Sequence, residues 1–189
     1  MGGVTPASRI ILVGYRGAGK TTVGPVLAAR LGWRFADCDD RVEELAGKSV
    51  AEIFRTEGEA GFRDRESAAL EALLQEEKIV LATGGGAVLR ELNRAAMKRA
   101  GFVVWLTAPA EVLYRRLTAD PTTAARRPAL ASGGFEEVVN LLAVREPLYR
   151  AVADFVLDSN DRSPDELADP ILATWRAGSV SDRSAHSGR

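Results

Sequence analysis

The chain has 189 residues, 25 basic and 26 acidic side chains, and a formal net charge of −1. This length fits one domain, and the near-balanced charge excludes a global basic field of the kind that attracts nucleic acid. A single cysteine, Cys38, and a single histidine, His186, exclude an intramolecular disulfide, a histidine-based catalytic triad and the usual zinc sites. We therefore expect any catalysis to depend on Lys, Arg, Asp, Glu or a bound metal ion.

No apolar run is long enough to span a bilayer, and the N-terminus lacks the charged-then-apolar pattern of a secretory signal. The sequence accordingly predicts a soluble, cytoplasmic protein that has neither a membrane partner nor a nucleic-acid partner.

Five segments predict the strands of a parallel sheet. Residues 9–13, 78–82 and 102–106 are almost continuously apolar, which is typical of strands that helices cover on both faces. Residues 33–36 and 154–157 are weaker candidates of the same kind. Segments with apolar residues at helical spacing lie between them, and this alternation predicts an open α/β fold.

Two segments differ from the rest of the predicted domain. Residues 119–134 contain two prolines and a Ser-Gly-Gly run and offer little that can pack, so they predict a long mobile loop, or lid. Residues 177–189 are rich in Gly, Ser and Arg and predict a disordered tail. The sequence shows no internal repeats and no second domain, so we predict a single domain over residues 1–176.

The segment Gly14–Thr21 reads G-Y-R-G-A-G-K-T and matches the phosphate-binding pattern G-x-x-x-x-G-K-[ST]. It lies between a predicted strand and an amphipathic helix, as the motif requires; the alternative is a glycine-rich turn with a chance lysine. Backbone N–H groups of such a loop turn toward phosphate oxygens. We expect Lys20 to reach the β- and γ-phosphates and the Thr21 hydroxyl to bind Mg²⁺ directly. The nucleotide-binding set is Gly17, Ala18, Gly19, Lys20, Thr21 and Thr22.

Carboxylates follow the predicted second strand, where ligands bind in α/β sheets. If the strand continues, Asp37 and Asp39 lie on one side of it, so that one approaches the metal through water and the other meets a substrate hydroxyl. The alternative is a solvated turn and helix N-cap, which fits Asp40 best. Cys38 has no histidine partner, and we expect a half-buried thiol without a catalytic role.

Further residues have an ordinary and a functional interpretation. Arg63 and Glu66 share a helix face, either as a surface ion pair or as a guanidinium oriented for a ligand. Gly84–Gly86 form either a flexible turn or a close approach of backbone to a ligand. The choice between a solvated side chain and a ligand contact also applies to Arg126, Arg127, Arg145 and Arg162.

Taken together, these motifs resemble those of the shikimate kinase family. The corresponding residues in this chain are Gly19–Gly24, Asp37–Asp39, Gly58 with Phe62, Arg63 and Glu66, Gly84–Gly86, Arg127–Leu130 and Arg145–Tyr149. Many enzymes share the phosphate loop, but the combination of the other five motifs is specific. The resemblance covers roughly residues 9–170.

The resemblance implies a three-layer P-loop kinase fold with a five-stranded parallel sheet in the order 2-3-1-4-5. It implies an ATP-dependent transferase that phosphorylates the 3-hydroxyl of shikimate, giving shikimate 3-phosphate and ADP in the biosynthesis of aromatic amino acids. Mg²⁺ is the implied cofactor, ATP and shikimate are the implied partners, and a monomer is the expected state.

The resemblance also implies roles for single residues. Lys20, Asp39 and Arg127 would act in catalysis, with Arg127 descending on the phosphates as part of the lid. The implied shikimate contacts are Asp39, Arg63, Gly84, Gly85, Gly86 and Arg145, Asp37 would lie near Mg²⁺, and Arg162 and Arg116 would flank the adenine. The chain departs from the family at Ala129, where leucine is usual. The stretch before Arg127 is also longer than usual, which makes Arg126 the alternative phosphate contact.

Two other functions remain open from the residues alone. One is another small-molecule P-loop kinase, of the gluconate or nucleoside monophosphate type, and the other is an ATP-binding regulator that transfers no phosphate. The pair of Arg63 and Arg145 with the glycine triplet argues against the other kinases, and a regulator would give no reason for Asp39, Arg63 and Arg145 to occur together.

Overall fold

A computed structural model describes residues 7–120 and 134–184. Its centre is a five-stranded sheet in which all neighbouring strands run parallel. The strands are β1 (Arg9–Val13), β2 (Arg34–Asp37), β3 (Ile79–Ala82), β4 (Phe102–Thr107) and β5 (Phe155–Asp158). Their order, β2-β3-β1-β4-β5, confirms the predicted topology, and each strand lies within one residue of its predicted bounds.

The strand register brings three loops to one edge of the sheet. Asp37 of β2 lies opposite Ala82 of β3, and Ala82 lies opposite Leu12 of β1. The carboxyl ends of these strands are therefore level, and the residues that follow them meet at the ligand-binding edge of the sheet.

Helices cover both faces of the sheet, as the apolar strands predict. In the described part of the chain they are α1 (Lys20–Leu31), α2 (Cys38–Ala46), α3 (Val50–Leu74), α4 (Glu91–Ala100), α5 (Ala110–Ala119), α6 (Gly134–Val152) and α7 (Pro164–Ser184), with a 3-10 helix at Ala87–Leu89. One buried cluster contains side chains of α2, α3 and α4, and a second contains side chains of α1, α5 and α7. Helix α6 contributes Leu142 to the second cluster and Tyr149 to the first.

Helix α3 changes direction at Gly58, whose φ of 70° and ψ of −173° are not helical. A side chain at this position would be strained, which explains the glycine. Arg65 bridges the break by donating to both carboxylate oxygens of Glu57, at 2.7 and 3.0 Å. The part of α3 after the break buries Phe62, Arg63 and Glu66.

The C-terminal helix departs from the sequence expectation. Helix α7 extends to Ser184, so residues 177–184, expected to begin a tail, are helical here. Gly178 and the serines of this segment favour a tail by composition, but extending a helix that is already packed costs less than starting one. Upstream, Arg30 of α1 binds Asp165 and Asp169 of α7. Residues 185–189 lie outside the described part.

In residues 7–120 and 134–184, no helix combines the length and the apolar character needed to cross a membrane.

Candidate active site

The phosphate loop joins β1 to α1. Gly14, Gly17 and Gly19 have φ values of 139°, 77° and 94°, which favour glycine. Lys20, the first residue of α1, is buried, and its Nζ donates to the carbonyl oxygens of Gly14 at 2.7 Å and Tyr15 at 2.9 Å. The ammonium group is therefore held against the loop.

A cleft with a volume of about 780 Å³ opens beside this loop, along the carboxyl ends of the strands. Most of the predicted site residues line it. They are Gly17, Gly19, Lys20, Thr21, Thr22, Asp37, Asp39, Gly84, Gly85, Arg116 and Arg162. Ala18 is fully buried behind the loop.

Thr21 and Asp37 bring two oxygen donors together in the cleft. The Thr21 hydroxyl donates to Asp37 Oδ2 at 3.2 Å. Burial, and then the charge of Asp39, raise the pKa of Asp37, so a cation there would be favourable. Hydroxyl and carboxylate oxygens fit Mg²⁺. No cluster of three or more His, Cys, Asp or Glu residues occurs in the described ranges, so an ion here would also need phosphate and water oxygens.

The local structure around Asp37 corrects two expectations. Strand β2 ends at Asp37 instead of continuing, because Asp37 caps α2 by accepting a hydrogen bond from the Asp39 N–H at 2.9 Å. Asp40, which the alternative interpretation favoured as the helix N-cap, is instead a helical residue. Asp37 and Asp39 still both line the cleft.

Cys38 lies between these carboxylates but faces the core. It is fully buried, not half-buried as expected, and its Sγ donates to the Glu66 carbonyl at 3.7 Å. Burial raises the pKa of the thiol well above its usual value, with the Glu66 charge as the next cause. A thiol of this kind is a poor nucleophile.

Arg63 is a buried residue, 7% exposed, which rules out the surface-pair interpretation. Its NH1 donates to Glu66 Oε2 at 2.7 Å, and its NH2 donates to Glu59 Oε1 at 3.1 Å. Burial alone would lower the pKa of Arg63, but Glu66 and Glu59 outweigh it and raise the value. Glu66, which is fully buried, therefore orients the guanidinium.

Close contacts require glycine at two of the three positions of the triplet, Gly84 and Gly86. A Cβ at Gly84 would overlap Glu66 Oε1, and a Cβ at Gly86 would overlap the Arg63 guanidinium. At Gly85, the same addition would come within 3.4 Å of the Arg16 backbone nitrogen. The triplet thus lets backbone pack directly against charged groups of α3 and against the phosphate loop.

Arg145 approaches the triplet from α6. It is 7% exposed, and its guanidinium lies 5.5 Å from the centre of the Tyr15 ring. Its NH1 donates to the Gly85 carbonyl at 3.5 Å, the limit of a hydrogen bond. Its Nε is buried without a hydrogen-bond partner, and Arg145 forms no ion pair within the described residues. A buried guanidinium in this state favours an anionic ligand.

The other end of the cleft is held by Arg116 of α5. Its NH1 donates to the Gly17 carbonyl at 3.0 Å, and its NH2 donates to the Ser159 carbonyl at 2.9 Å. Arg116 thereby ties the phosphate loop to the loop after β5, where the exposed Arg162 also borders the cleft.

Sequence reasoning assigned no role to three residues of this region, Tyr15, Tyr149 and Ser159. Ser159 follows the end of β5, and Tyr149 lies four residues after Arg145, so strand ends and helical spacing both contained a usable signal. Arg126, Arg127 and nearly all of the predicted lid lie outside the described residues.

Arg63, Arg145 and Gly86 are not among the residues that line the cleft, but both arginines contact the glycine triplet, of which Gly84 and Gly85 do line it. A phosphate loop and an acidic pair in one cleft, with two buried arginines against the adjoining glycine triplet, define a P-loop kinase of small molecules. The chain matches the shikimate kinase family model over residues 16–176 and belongs to that family.

Two similar proteins of known name support the same family. A shikimate kinase of Rhodopirellula baltica is 48% identical over 164 residues, covering 86% of this chain and 88% of the relative. A shikimate kinase of Chromohalobacter salexigens is also 48% identical, with 86% and 89% coverage.

Solved structures show the same likeness. Shikimate kinase from Acinetobacter baumannii in complex with shikimate superposes with a TM-score of 0.85 at 40% identity, covering 93% of this chain and 96% of the other. A gluconokinase from Sinorhizobium meliloti reaches a TM-score of 0.59 at 18% identity, which shows a shared fold alone.

Proposed function

We propose that this protein transfers the γ-phosphoryl group of ATP to the 3-hydroxyl of shikimate, producing shikimate 3-phosphate and ADP. The observation that carries the proposal is the pair of buried guanidinium groups at the glycine triplet: Arg63 lies against Gly86, and Arg145 lies against Gly85 and the Tyr15 ring of the phosphate loop. The family membership and a relative solved with shikimate support the same acceptor.

Recognition of the acceptor begins with its carboxylate. Arg145 has no carboxylate partner among the described residues, whereas Arg63 is held in place by Glu66 and Glu59. A carboxylate between them would neutralise Arg145 and accept charge-assisted bonds from a preoriented Arg63. Asp39 and the Gly84–Gly86 backbone would then bind the hydroxyl groups.

The transfer step needs positioning and charge neutralisation more than a strong base, because the transition state is loose. Lys20 and the N-terminus of α1 would hold the phosphates. Thr21, directly, and Asp37, through water, would hold Mg²⁺, which supplies positive charge to the phosphate oxygens. Asp39 would orient the attacking hydroxyl and accept its proton late, while Arg127 would contact the phosphates from the predicted lid.

The remaining assignments belong to the same proposal. Arg116 and Arg162 border the end of the cleft away from the glycine triplet and would flank the adenine. We propose a monomer of cytoplasmic location, as expected from the size and composition of the chain.

A coupled ADP-release assay tests the activity, with shikimate, gluconate and nucleoside monophosphates as alternative acceptors. Shikimate alone should support turnover. In a thermal-shift titration, shikimate at 100 times its Kd should add about 2.7 kcal/mol to the free energy of unfolding. Turnover with gluconate and not with shikimate would overturn the proposal, and ATP binding without transfer to any acceptor would favour a regulator.

A further inference from the structure

Arg145 and Tyr149 present one face of α6 to the glycine triplet. They are four residues apart, so they lie one above the other on the helix. Both are buried, Tyr149 completely. Arg145 belongs to the proposed acceptor site, but nothing so far requires a tyrosine one turn further on.

Both side chains reach the same backbone atom. The Tyr149 hydroxyl donates a short hydrogen bond to the carbonyl oxygen of Gly85, to which Arg145 NH1 donates at 3.5 Å. Backbone carbonyls buried beside a cation are strong acceptors. The Gly85 carbonyl therefore competes with any ligand for the guanidinium of Arg145.

The Tyr149 hydroxyl has a fixed position and a fixed protonation state. Its ring stacks on Trp105 of β4, with the ring centres 5.8 Å apart and the planes at 27°. Burial raises the pKa of Tyr149 far above its usual value, and the charge of Arg145 and a hydrogen bond from its side chain oppose this only in part, so the hydroxyl stays protonated at physiological pH. Gly85 thus receives its main hydrogen bond from a neutral and immobile group.

We propose that Tyr149 is a positioning residue for the acceptor's carboxylate: by occupying the Gly85 carbonyl, its hydroxyl leaves the Arg145 guanidinium available to the acceptor. This inference rests on the proposed function, since the carboxylate in question is that of shikimate. Arg145 is then framed by the Tyr15 ring on one side and by the Tyr149 hydroxyl bonded to Gly85 on the other.

Removing the hydroxyl has a specific consequence. In Tyr149→Phe, the Gly85 carbonyl loses its short hydrogen bond, and a buried acceptor left unsatisfied is unfavourable. Arg145 NH1 already lies 3.5 Å from the Gly85 carbonyl oxygen, and we expect this distance to shorten to that of an ordinary hydrogen bond. The guanidinium would then be turned away from the carboxylate of shikimate.

The experiment compares Tyr149→Phe with the wild-type enzyme, using shikimate and its methyl ester. We expect the KM and the calorimetric Kd for shikimate to rise about tenfold, the size of one weakened charge-assisted contact. The KM for ATP and kcat should stay within about twofold. The methyl ester, which has no carboxylate, should bind wild type and variant with equal affinity.

A matched control separates positioning from stability. Ile171→Val removes one methylene from the buried face of α7 and should lower the melting temperature without changing the KM for shikimate. If Tyr149→Phe fails to fold, Trp105→Phe replaces it in the test, because this variant shrinks the ring on which Tyr149 stacks. It should raise the KM for shikimate by a smaller factor and leave the affinity for the methyl ester unchanged.

The outcomes separate this inference from the proposed function. Wild-type protein that neither binds nor phosphorylates shikimate contradicts the function itself. Wild-type turnover together with an unchanged shikimate KM in Tyr149→Phe, or an equal loss of affinity for shikimate and its ester, overturns the positioning role alone.

Discussion

Replacing Arg63 and Arg145 by alanine, one at a time, should separate binding from stability. Both variants remove a guanidinium that would hold the acceptor's carboxylate, worth about 1.5–3 kcal/mol, so each should raise the KM for shikimate by about one to two orders of magnitude. The KM for ATP should remain nearly unchanged, because neither side chain is among the residues that line the cleft beside the phosphate loop.

Only one of the two variants should lose substantial stability. Arg63→Ala leaves the fully buried Glu66 without the guanidinium 2.7 Å away, and breaking a buried ion pair costs about 3–5 kcal/mol. For a protein of this size, that corresponds to a fall in melting temperature of roughly 6–20 °C. Arg145→Ala removes one long hydrogen bond and the contact with the Tyr15 ring but no ion pair among the described residues, so its free energy of unfolding should fall by less than that of Arg63→Ala.

Thermal unfolding and steady-state kinetics on the single variants and on Arg63→Ala/Glu66→Gln complete the test. Neutralising Glu66 should restore much of the melting temperature but none of the affinity for shikimate. Equal stability of the two single variants, or recovery of the shikimate KM in the double variant, would refute the assignment of Glu66 as the group that orients Arg63.

Three further predictions concern other parts of the site. Gly86→Ala should raise the KM for shikimate at least about tenfold, because its Cβ overlaps the guanidinium of the α3 arginine; Gly178→Ala, which meets open space, should not change it. Asp37→Asn should raise the melting temperature of the ligand-free protein at neutral pH, since burial raises the pKa of Asp37 in the folded state and its ionised form is destabilising there. Unfolding across pH should show this gain shrinking as pH falls toward the usual value of 3.8, and a gain that grows in acid contradicts it. Arg127→Ala should lower kcat by about three orders of magnitude in the coupled assay. The same loss of kcat in Arg126→Ala, and not in Arg127→Ala, would identify Arg126 as the residue that contacts the phosphates.

The strands could be predicted from the sequence because parallel strands covered on both faces must be apolar throughout, as residues 9–13 are. Their order is a different matter. Pairing is decided by helix packing between distant segments, and only the resemblance to a family supplied the order 2-3-1-4-5. The site could be predicted in outline, because a strand end followed by polar residues or glycines marks the ligand edge of an α/β sheet.

The features of the site that could not be predicted from sequence spacing depend on tertiary packing. Arg63 and Arg145 have the spacing of surface residues, and their burial follows from the break at Gly58 and from the way α6 contributes to both buried clusters. The need for Gly86 becomes visible only when the Arg63 guanidinium is seen against it. Asp37 was expected to follow a strand and to share a side with Asp39 if that strand continued, but Asp37 ends β2 and its side chain caps a helix.

A crystal structure with shikimate and a non-hydrolysable ATP analogue tests the central claim most directly. The shikimate carboxylate should lie about 2.7–2.9 Å from nitrogen atoms of both Arg63 and Arg145. The 3-hydroxyl should then lie beside Asp39 and face the γ-phosphate. A carboxylate that contacts neither guanidinium, or a 3-hydroxyl turned away from the nucleotide, would contradict it.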